Sequence, residues 1–251
     1  MKNIMVSGCG GKMGRTLSNY ICSLAYYKLV AGVDPKLAGH SIKEIAATAD
    51  DFKISGSVKE GLNSTKVDIV IDFTAPSVVV GNAVECLNSK TNILIGTTGI
   101  SYEDQNMLDE LAKKNNTSIM IVPNFAIGAI LMMNFAKIAA KFMKSAEIIE
   151  LHHDTKVDKP SGTAIKTRKA MLEATGRTSE EKNSDVIPIH SVRLPGLVAH
   201  QEVIFGDLGQ TLTIRHDTCN RDSFMPGIAM ALKQMGTFTG LRVGLDIDSN
   251  H

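Results

Sequence analysis

The sequence predicts an α/β protein: a doubly wound parallel sheet, then a smaller α+β unit whose sheet is mainly antiparallel. Three observations predict it. Short runs rich in Val and Ile alternate with helix-like segments through the first half. After about Asn124 the rhythm changes, and apolar runs follow one another without helices between them. A last apolar segment, residues 224–235, has Pro226 near its start and is suited to pack back on the first half. The expected boundaries are therefore residues 1–123 with 224–251 for one domain, and 124–223 for the other.

The elements follow in order. Residues 3–6 form an apolar run ending in glycines, and Met13, Leu17 and Ile21 then recur at helical spacing. Residues 29–33 make the next run and stop at Asp34. Residues 67–73 (VDIVIDF), 92–95 and 118–122 are near-continuous apolar runs, the pattern of strands buried on both faces. Helical segments are expected at 78–87 and 102–114. In the second half a helix over 129–142 leads to a strand at 148–153 and a second helix at 163–174. Three strands follow at 186–193, 199–205 and 211–216, close enough to pair as antiparallel neighbours.

Bulk properties narrow the function. The 251 residues are 43% hydrophobic and 21% charged, with a formal net charge of +1. That composition is globular, and no basic stripe invites nucleic acid or an anionic membrane. Residues 118–136 carry no charge, but Pro123, Asn124 and Gly128 interrupt them, so a strand, a turn and a helix start are expected rather than a membrane span. The N-terminus is apolar over too few residues for a signal peptide. The four cysteines, Cys9, Cys22, Cys86 and Cys219, are scattered without a CxxC pair, as expected of free thiols in a reducing cytoplasm.

The first strand runs into GCGGKMG, with Gly8, Gly11 and Gly14 spaced three apart. Such a loop lets backbone N–H groups meet a pyrophosphate at the helix N-terminus, in a Rossmann-type dinucleotide site. Met13 stands where a GxGxxG counted from Gly8 and Gly10 would place its third glycine. A tight turn that binds nothing is the alternative. Asp34, about twenty residues beyond the loop, is where a carboxylate would accept from the adenosine ribose hydroxyls. A carboxylate there favours NADH, while Lys12, Arg15 and Lys36 are candidates to neutralise the extra phosphate of NADPH. Both cofactors are expected to serve, NADH at least as well. DFTAPS (residues 72–77) and GTTG (96–99) also follow apolar strands at their carboxyl ends, where such sheets place ligands. An ordinary turn with a threonine cap would read the same way.

The densest chemistry is ELHHDTKVDKPSGTA, residues 150–164. Histidine exchanges protons near neutrality, and Lys156 adds positive charge. Gly162 and Thr163, opening a helix, offer N–H groups and a hydroxyl to an anion. The set suits a small carboxylate-bearing substrate that must be protonated. A polar strand-to-helix loop is the plain alternative. A metal site is disfavoured, since adjacent strand histidines point to opposite faces and no HExxH occurs. A Schiff-base role for Lys156 lacks any sign of apolar burial. Downstream, Arg193 and Arg221 have the shape for carboxylates, whereas His200 and His216, within strands, read as structural.

In this order, GCGGKMG, DFTAPS, GTTG, PNFAIGA, ELHHDTKVDKPSGTA and SVRLPGLVAHQEVIFG resemble the dihydrodipicolinate reductase family over essentially the whole chain. The resemblance implies a dinucleotide-binding domain completed by the C-terminal segment, and a substrate domain whose sheet builds a homotetramer. It implies reduction of the cyclic product of dihydrodipicolinate synthase to tetrahydrodipicolinate with NADH or NADPH, in lysine and diaminopimelate biosynthesis. It makes His152 the general acid and Lys156 its assistant, with His153, Gly162 and Thr163 on the substrate carboxylates. It assigns the cofactor to Gly8, Gly11, Lys12, Met13, Gly14, Asp34, Phe73, Gly96, Thr97, Thr98, Pro123, Asn124 and Phe125. Asp154 and Thr155 depart from the basic or aromatic residues of many relatives, and Arg221 is only loosely assigned to a carboxylate. Asn124 and Arg221 are the expected hinges. Two other functions share parts of this pattern. A two-domain dehydrogenase of amino or oxo acids would keep the cofactor half, and a redox sensor would bind the dinucleotide without needing His152 or Lys156.

Overall fold

The computed structural model describes residues 1–176 and 187–247. They divide into two units: Met1–Phe125 together with Phe224–His251, and Ala126–Ser223.

In the first unit, strands β1 (Lys2–Ser7), β2 (Tyr27–Val33), β3 (Ile69–Asp72), β4 (Asn92–Ile95) and β5 (Ser118–Ile121) alternate with helices α1 (Lys12–Ser23), α2 (Val58–Ser64), α3 (Pro76–Asn88) and α4 (Tyr102–Asn115). After the second unit the chain returns as α7 (Met225–Gln234) and β10 (Gly240–Val243). The six strands lie in the order β10-β5-β4-β3-β1-β2 and every pair is parallel. All residues of β3 and β5 are buried, which is why these strands read as unbroken apolar runs. Helix α1 buries Gly14, Leu17, Ser18 and Ile21, one stripe at helical spacing. Pro76 opens α3, and Ser101 caps α4 by accepting from the Asp104 amide at 3.1 Å. One core joins Val79, Leu87, Ile93, Leu108 and Ile119. Truncating such a residue, Ile93 for example, to alanine costs about 2–5 kcal/mol.

Two elements were not foreseen. Helix α2 has only Val58 and Gly61 buried, so it carries no apolar stripe. Strand β10 pairs Gly240 through Val243 with Ser118 through Ile121, although exposed Arg242 and Val243 give it no core-strand pattern.

The second unit contains α5 (Ile127–Ala139), β6 (Ser145–His152), α6 (Gly162–Ala174), β7 (Ile189–Arg193), β8 (Ala199–Asp207) and β9 (Gln210–Thr218). Its sheet runs β7-β6-β8-β9. The β6–β8 and β8–β9 pairs are antiparallel, and β7 lies parallel to β6. The sheet is thus mixed, with antiparallel pairs in the majority. The strand expected from Val186 begins at Ile189, and Val186 itself lies outside the described residues. Helix α5 begins and ends earlier than expected. Gln201, Val203 and Phe205 of β8 are buried in alternation, and Val203 and Phe205 pack with Ile148, Ala164 and Met171. The uncharged stretch 118–136 is split into β5, a turn and most of α5, and no described helix is long and apolar enough to cross a membrane.

Candidate functional site

In the first unit, the chain passes from β1 to β2 on one side of β1 and then returns to β3 on the other. The carboxyl ends of β1 and β3 therefore flank the point where strand order reverses, the crevice in which open α/β sheets bind ligands. The glycine loop lies there. Gly8 has φ +81° and packs so closely on the Phe73 carbonyl that a Cβ would stand 2.6 Å from its oxygen. Gly14 lies against the Gly8 carbonyl and Cys9 Cα, the close helix–strand contact that excludes a side chain. A Cβ on Gly10 would strike the Asp34 carboxylate and Leu37.

Gly11 differs. A Cβ there would touch only the Gly8 carbonyl oxygen, at 3.4 Å, so the protein's own packing does not require glycine. Gly11 is also the N-cap of α1, without a side-chain cap, and no acidic residue occupies the first turn. An uncapped helix start beside space that a Cβ would fill fits a dinucleotide pyrophosphate. Lys12 follows, exposed, and Arg15 Nε donates to the Gly10 carbonyl at 2.9 Å.

Asp34, directly after β2, accepts from the Gly10 amide at 3.1 Å and from the Lys36 amide at 2.9 Å. Phe73 packs on Gly96 and lies 5.7 Å, centroid to centroid, from Phe125. The structure thus gathers Gly8, Phe73, Gly96 and Phe125 at the carboxyl edge of the sheet. Thr98 and Pro123 are exposed, whereas Met13 and Asn124 are half-buried. The sequence reading missed the role of Asp72. Fully buried, its carboxylate accepts from Thr74 N and Oγ1 (3.0 and 2.6 Å), Thr97 Oγ1 (3.1 Å) and Asn82 Nδ2 (2.9 Å). Asp72 therefore ties Thr97 of the GTTG loop to the end of β3. Its only signal was a carboxylate ending an apolar strand.

In the second unit, Ile148, Glu150 and His152 alternate onto one face of β6. Glu150 is fully buried. Arg193, on neighbouring β7, grips it with Nη1 to Oε2 and Nη2 to Oε1, both at 2.8 Å. The same carboxylate meets His152 Nδ1 at 2.5 Å and the Ser161 amide at 3.3 Å. Burial pushes the Glu150 carboxyl up, but hydrogen bonds from Arg193, Ser191 and His152 outweigh it and hold the group below its ordinary value. Burial lowers His152, opposed by Glu150 and reinforced by the charges of Lys156 and Arg193, with a net downward shift from 6.5. Arg193, read from sequence as shaped for a carboxylate, is engaged by the protein's own.

Ser161 caps α6, accepting from the Ala164 amide at 3.2 Å, and no acidic residue occupies the helix's first turn. Gly162 is exposed, and a Cβ there would meet nothing within 4 Å. Lys156 pairs with Asp158 at 2.6 Å, and the exposed His153 meets Thr155 Oγ1 at 2.7 Å. One buried carboxylate thus joins His152 to Ser161, the N-cap of α6, with Lys156 on the loop between. His200 is bound to Asp217 at 2.6 Å, and His216 packs on Gly128. Arg221 is exposed in a short 3-10 turn. Among the described residues, no group of three or more His, Cys, Asp or Glu side chains is arranged to hold a metal.

Comparison with known proteins finds matches over nearly the whole chain. Residues 2–125 match the family model for the N-terminus of dihydrodipicolinate reductase, and 128–245 the model for its C-terminus. The chain is 40% identical to a 4-hydroxy-tetrahydrodipicolinate reductase of Dehalococcoides mccartyi, over 97% of this chain and 96% of the relative. It is 43% identical to that of Desulfitobacterium hafniense, over 97% of each. A dipicolinate-bound dihydrodipicolinate reductase from Paenisporosarcina sp. superposes with a TM-score of 0.81 at 36% identity, covering 97% of this chain and 98% of that one. An amine dehydrogenase from Mycobacterium smegmatis, TM-score 0.69 at 11% identity, shares the fold.

Proposed function

The chain belongs to the dihydrodipicolinate reductase family, and from that premise we propose that it reduces 4-hydroxy-tetrahydrodipicolinate, or its dehydrated form, to tetrahydrodipicolinate with NADH or NADPH, in lysine and diaminopimelate biosynthesis. The observation that carries the reading is the carboxylate that binds both His152 and the N-cap residue of α6, Ser161. It puts a proton donor and an anion-binding helix start within the span of one side chain.

Unit one holds the cofactor. The loop amides take the pyrophosphate beside Gly11, Met13 and Gly14, Asp34 takes the ribose, and Lys12 stands ready for the extra phosphate of NADPH. Phe73, Gly96, Thr97, Thr98, Pro123, Asn124 and Phe125 line the nicotinamide end. The cofactor, when bound, supplies a hydride. Unit two holds the substrate, a cyclic dicarboxylate related to the dipicolinate of the solved relative. His153 and the amides and hydroxyl at Gly162 and Thr163 take its carboxylates, placing negative charge at the positive end of α6. Adding hydride to a conjugated imine leaves negative charge on the ring. His152 delivers the balancing proton and Lys156 stabilises the charge before it does.

Assembly as a homotetramer is part of the reading. The sheet face opposite α5 and α6 carries His200, Glu202 and Ile204 of β8 with Thr213, Arg215 and Asp217 of β9, and is the surface proposed to meet other copies. Sedimentation equilibrium showing a monomer at working concentration would remove it. The free cysteines agree with a cytoplasmic location.

The reaction is tested by mixing pyruvate, aspartate semialdehyde and dihydrodipicolinate synthase with this protein and following nicotinamide absorbance. Synthase-dependent oxidation of NADH or NADPH supports the reading. No oxidation by a protein that still binds the cofactors would overturn it in favour of another dehydrogenase or a sensor.

A further inference from the structure

We infer that Glu150, clamped by Arg193, is a positioning residue that imposes one tautomer and one orientation on His152. The inference rests on the reading of His152 as the proton donor, and goes beyond it by assigning a role to a residue that need touch neither substrate nor cofactor.

An ionised carboxylate only accepts hydrogen bonds. Glu150 is fully buried, bound by two guanidinium nitrogens of Arg193 and held below its ordinary pKa, so it is ionised at neutral pH. Each group touching it must donate. Arg193 and the Ser161 amide can do nothing else, the Ser191 side chain donates its hydroxyl hydrogen, and His152 Nδ1 lies at 2.5 Å. Nδ1 therefore carries a hydrogen in both protonation states. The neutral ring presents a bare Nε2, and the charged ring presents Nε2–H as the proton to be given away. Without the carboxylate both tautomers compete and the ring is free to turn.

Arg193 serves the same end one step back. Its side chain is 5% exposed, and besides Glu150 it donates to the carbonyls of Val192 (2.7 Å) and Asp158 (2.7 Å). The carboxylate cannot swing away from His152 while both its oxygens are held. The charged groups facing His152 are Glu150 on its own strand, Arg193 on β7, and Lys156 on the following loop, itself paired with Asp158. Of these, Glu150 is the one that directly favours the imidazolium. Removing it makes the ring harder to protonate.

Nitrogen-15 NMR of the histidine rings in the intact wild-type protein tests the tautomer without any variant. Neutral His152 is expected as the Nδ1–H form, and an Nε2–H form would overturn the inference. Glu150→Gln preserves volume but no longer dictates the tautomer. It is expected to lose about 10- to 10³-fold in kcat, part of the usual worth of an oriented acid, with the Kd for NADH unchanged. The descending limb of its kcat/KM–pH profile should move to lower pH, a change that a purely structural ion pair would not cause. Folded Glu150→Gln with wild-type turnover and pH profile would sink the inference while leaving the reductase reading intact. Wild-type turnover in His152→Gln would instead sink the reading, with the tautomer result still standing. Should Glu150→Gln fail to fold around an unpaired Arg193, the double variant Glu150→Gln/Arg193→Met removes the buried charge and is expected to show the same kcat loss, with a smaller pH shift because the Arg193 charge that also lowers His152 is gone. Wild-type behaviour in that variant would overturn the inference.

Discussion

The amide of Gly10 donates to Oδ2 of Asp34 across 3.1 Å, so the glycine loop and the end of β2 are joined through the carboxylate proposed to select the cofactor. Asp34 also accepts from Lys36 N, which aims the carboxylate at the loop before any ligand arrives. Asp34→Ala should therefore weaken NADH more than NADPH, by about tenfold in the ratio of kcat/KM, or ~1.4 kcal/mol. Side-by-side kinetics with both cofactors check this. An unchanged ratio would detach Asp34 from cofactor choice.

Gly11 and Gly14 should separate on substitution. Gly14→Ala drives a methyl into the Gly8 carbonyl and Cys9 Cα, backbone that cannot yield cheaply, and is expected to cost about 1–3 kcal/mol of stability. Gly11→Ala meets only the Gly8 oxygen at 3.4 Å and should fold normally, yet bind NADH about tenfold more weakly. Thermal melts and cofactor titration of the two variants make the comparison. Full cofactor affinity in Gly11→Ala would remove the pyrophosphate from that position.

His152→Gln should lower kcat by about 10²–10⁴-fold, the usual worth of a general acid, with little change in cofactor Kd. Stopped-flow turnover and fluorescence titration give the two numbers independently. Parallel loss of both would indicate a damaged unit rather than a missing proton donor.

Lys156 is paired with Asp158 at 2.6 Å and is proposed to stabilise the negative charge that develops on the substrate. Lys156→Ala should raise KM and lower kcat together, since the charge acts on both bound substrate and transition state. Steady-state kinetics indistinguishable from wild type would take Lys156 out of the site.

Burial lowers the pKa of His216 from 6.5, opposed by Asp217 and reinforced by His200. In the interval between that lowered value and 6.5 the unfolded chain binds more protons than the folded one. Stability therefore rises with pH through this interval, is complete above 6.5, and is lost as pH falls. His152, shifted the same way, adds to the slope. Melting temperatures measured on the acid side of 6.5 should fall less steeply in His216→Asn than in wild type. Equal slopes would show that His216 does not contribute.

Much of the fold was legible because it is written in local periods. Unbroken apolar runs announced β3, β4 and β5, and Leu17 and Ile21 announced the buried stripe of α1. Helix α2 and strand β10 were not legible, since each offers few buried apolar side chains and owes its place to what it packs beside. The candidate site divides the same way. The histidine segment and the glycines stood out through residue types that chemistry favours, whereas Asp72 and Glu150 looked like polar residues at the rims of strands. Only burial and convergent donors reveal them as hubs.

The order of residues by itself determined the alternation of strands and helices, the glycine loop and the segment that carries His152 and Lys156. These depend on spacings of a few residues, which the backbone geometry of one helix turn or one strand enforces locally. The tertiary structure alone decided that β10 extends the sheet beside β5, that Gly10 meets Asp34 across 24 positions, and that Arg193 grips Glu150 across 43. Such pairings form only when distant strands are brought side by side and their polar groups, shut away from water, must find partners in one another.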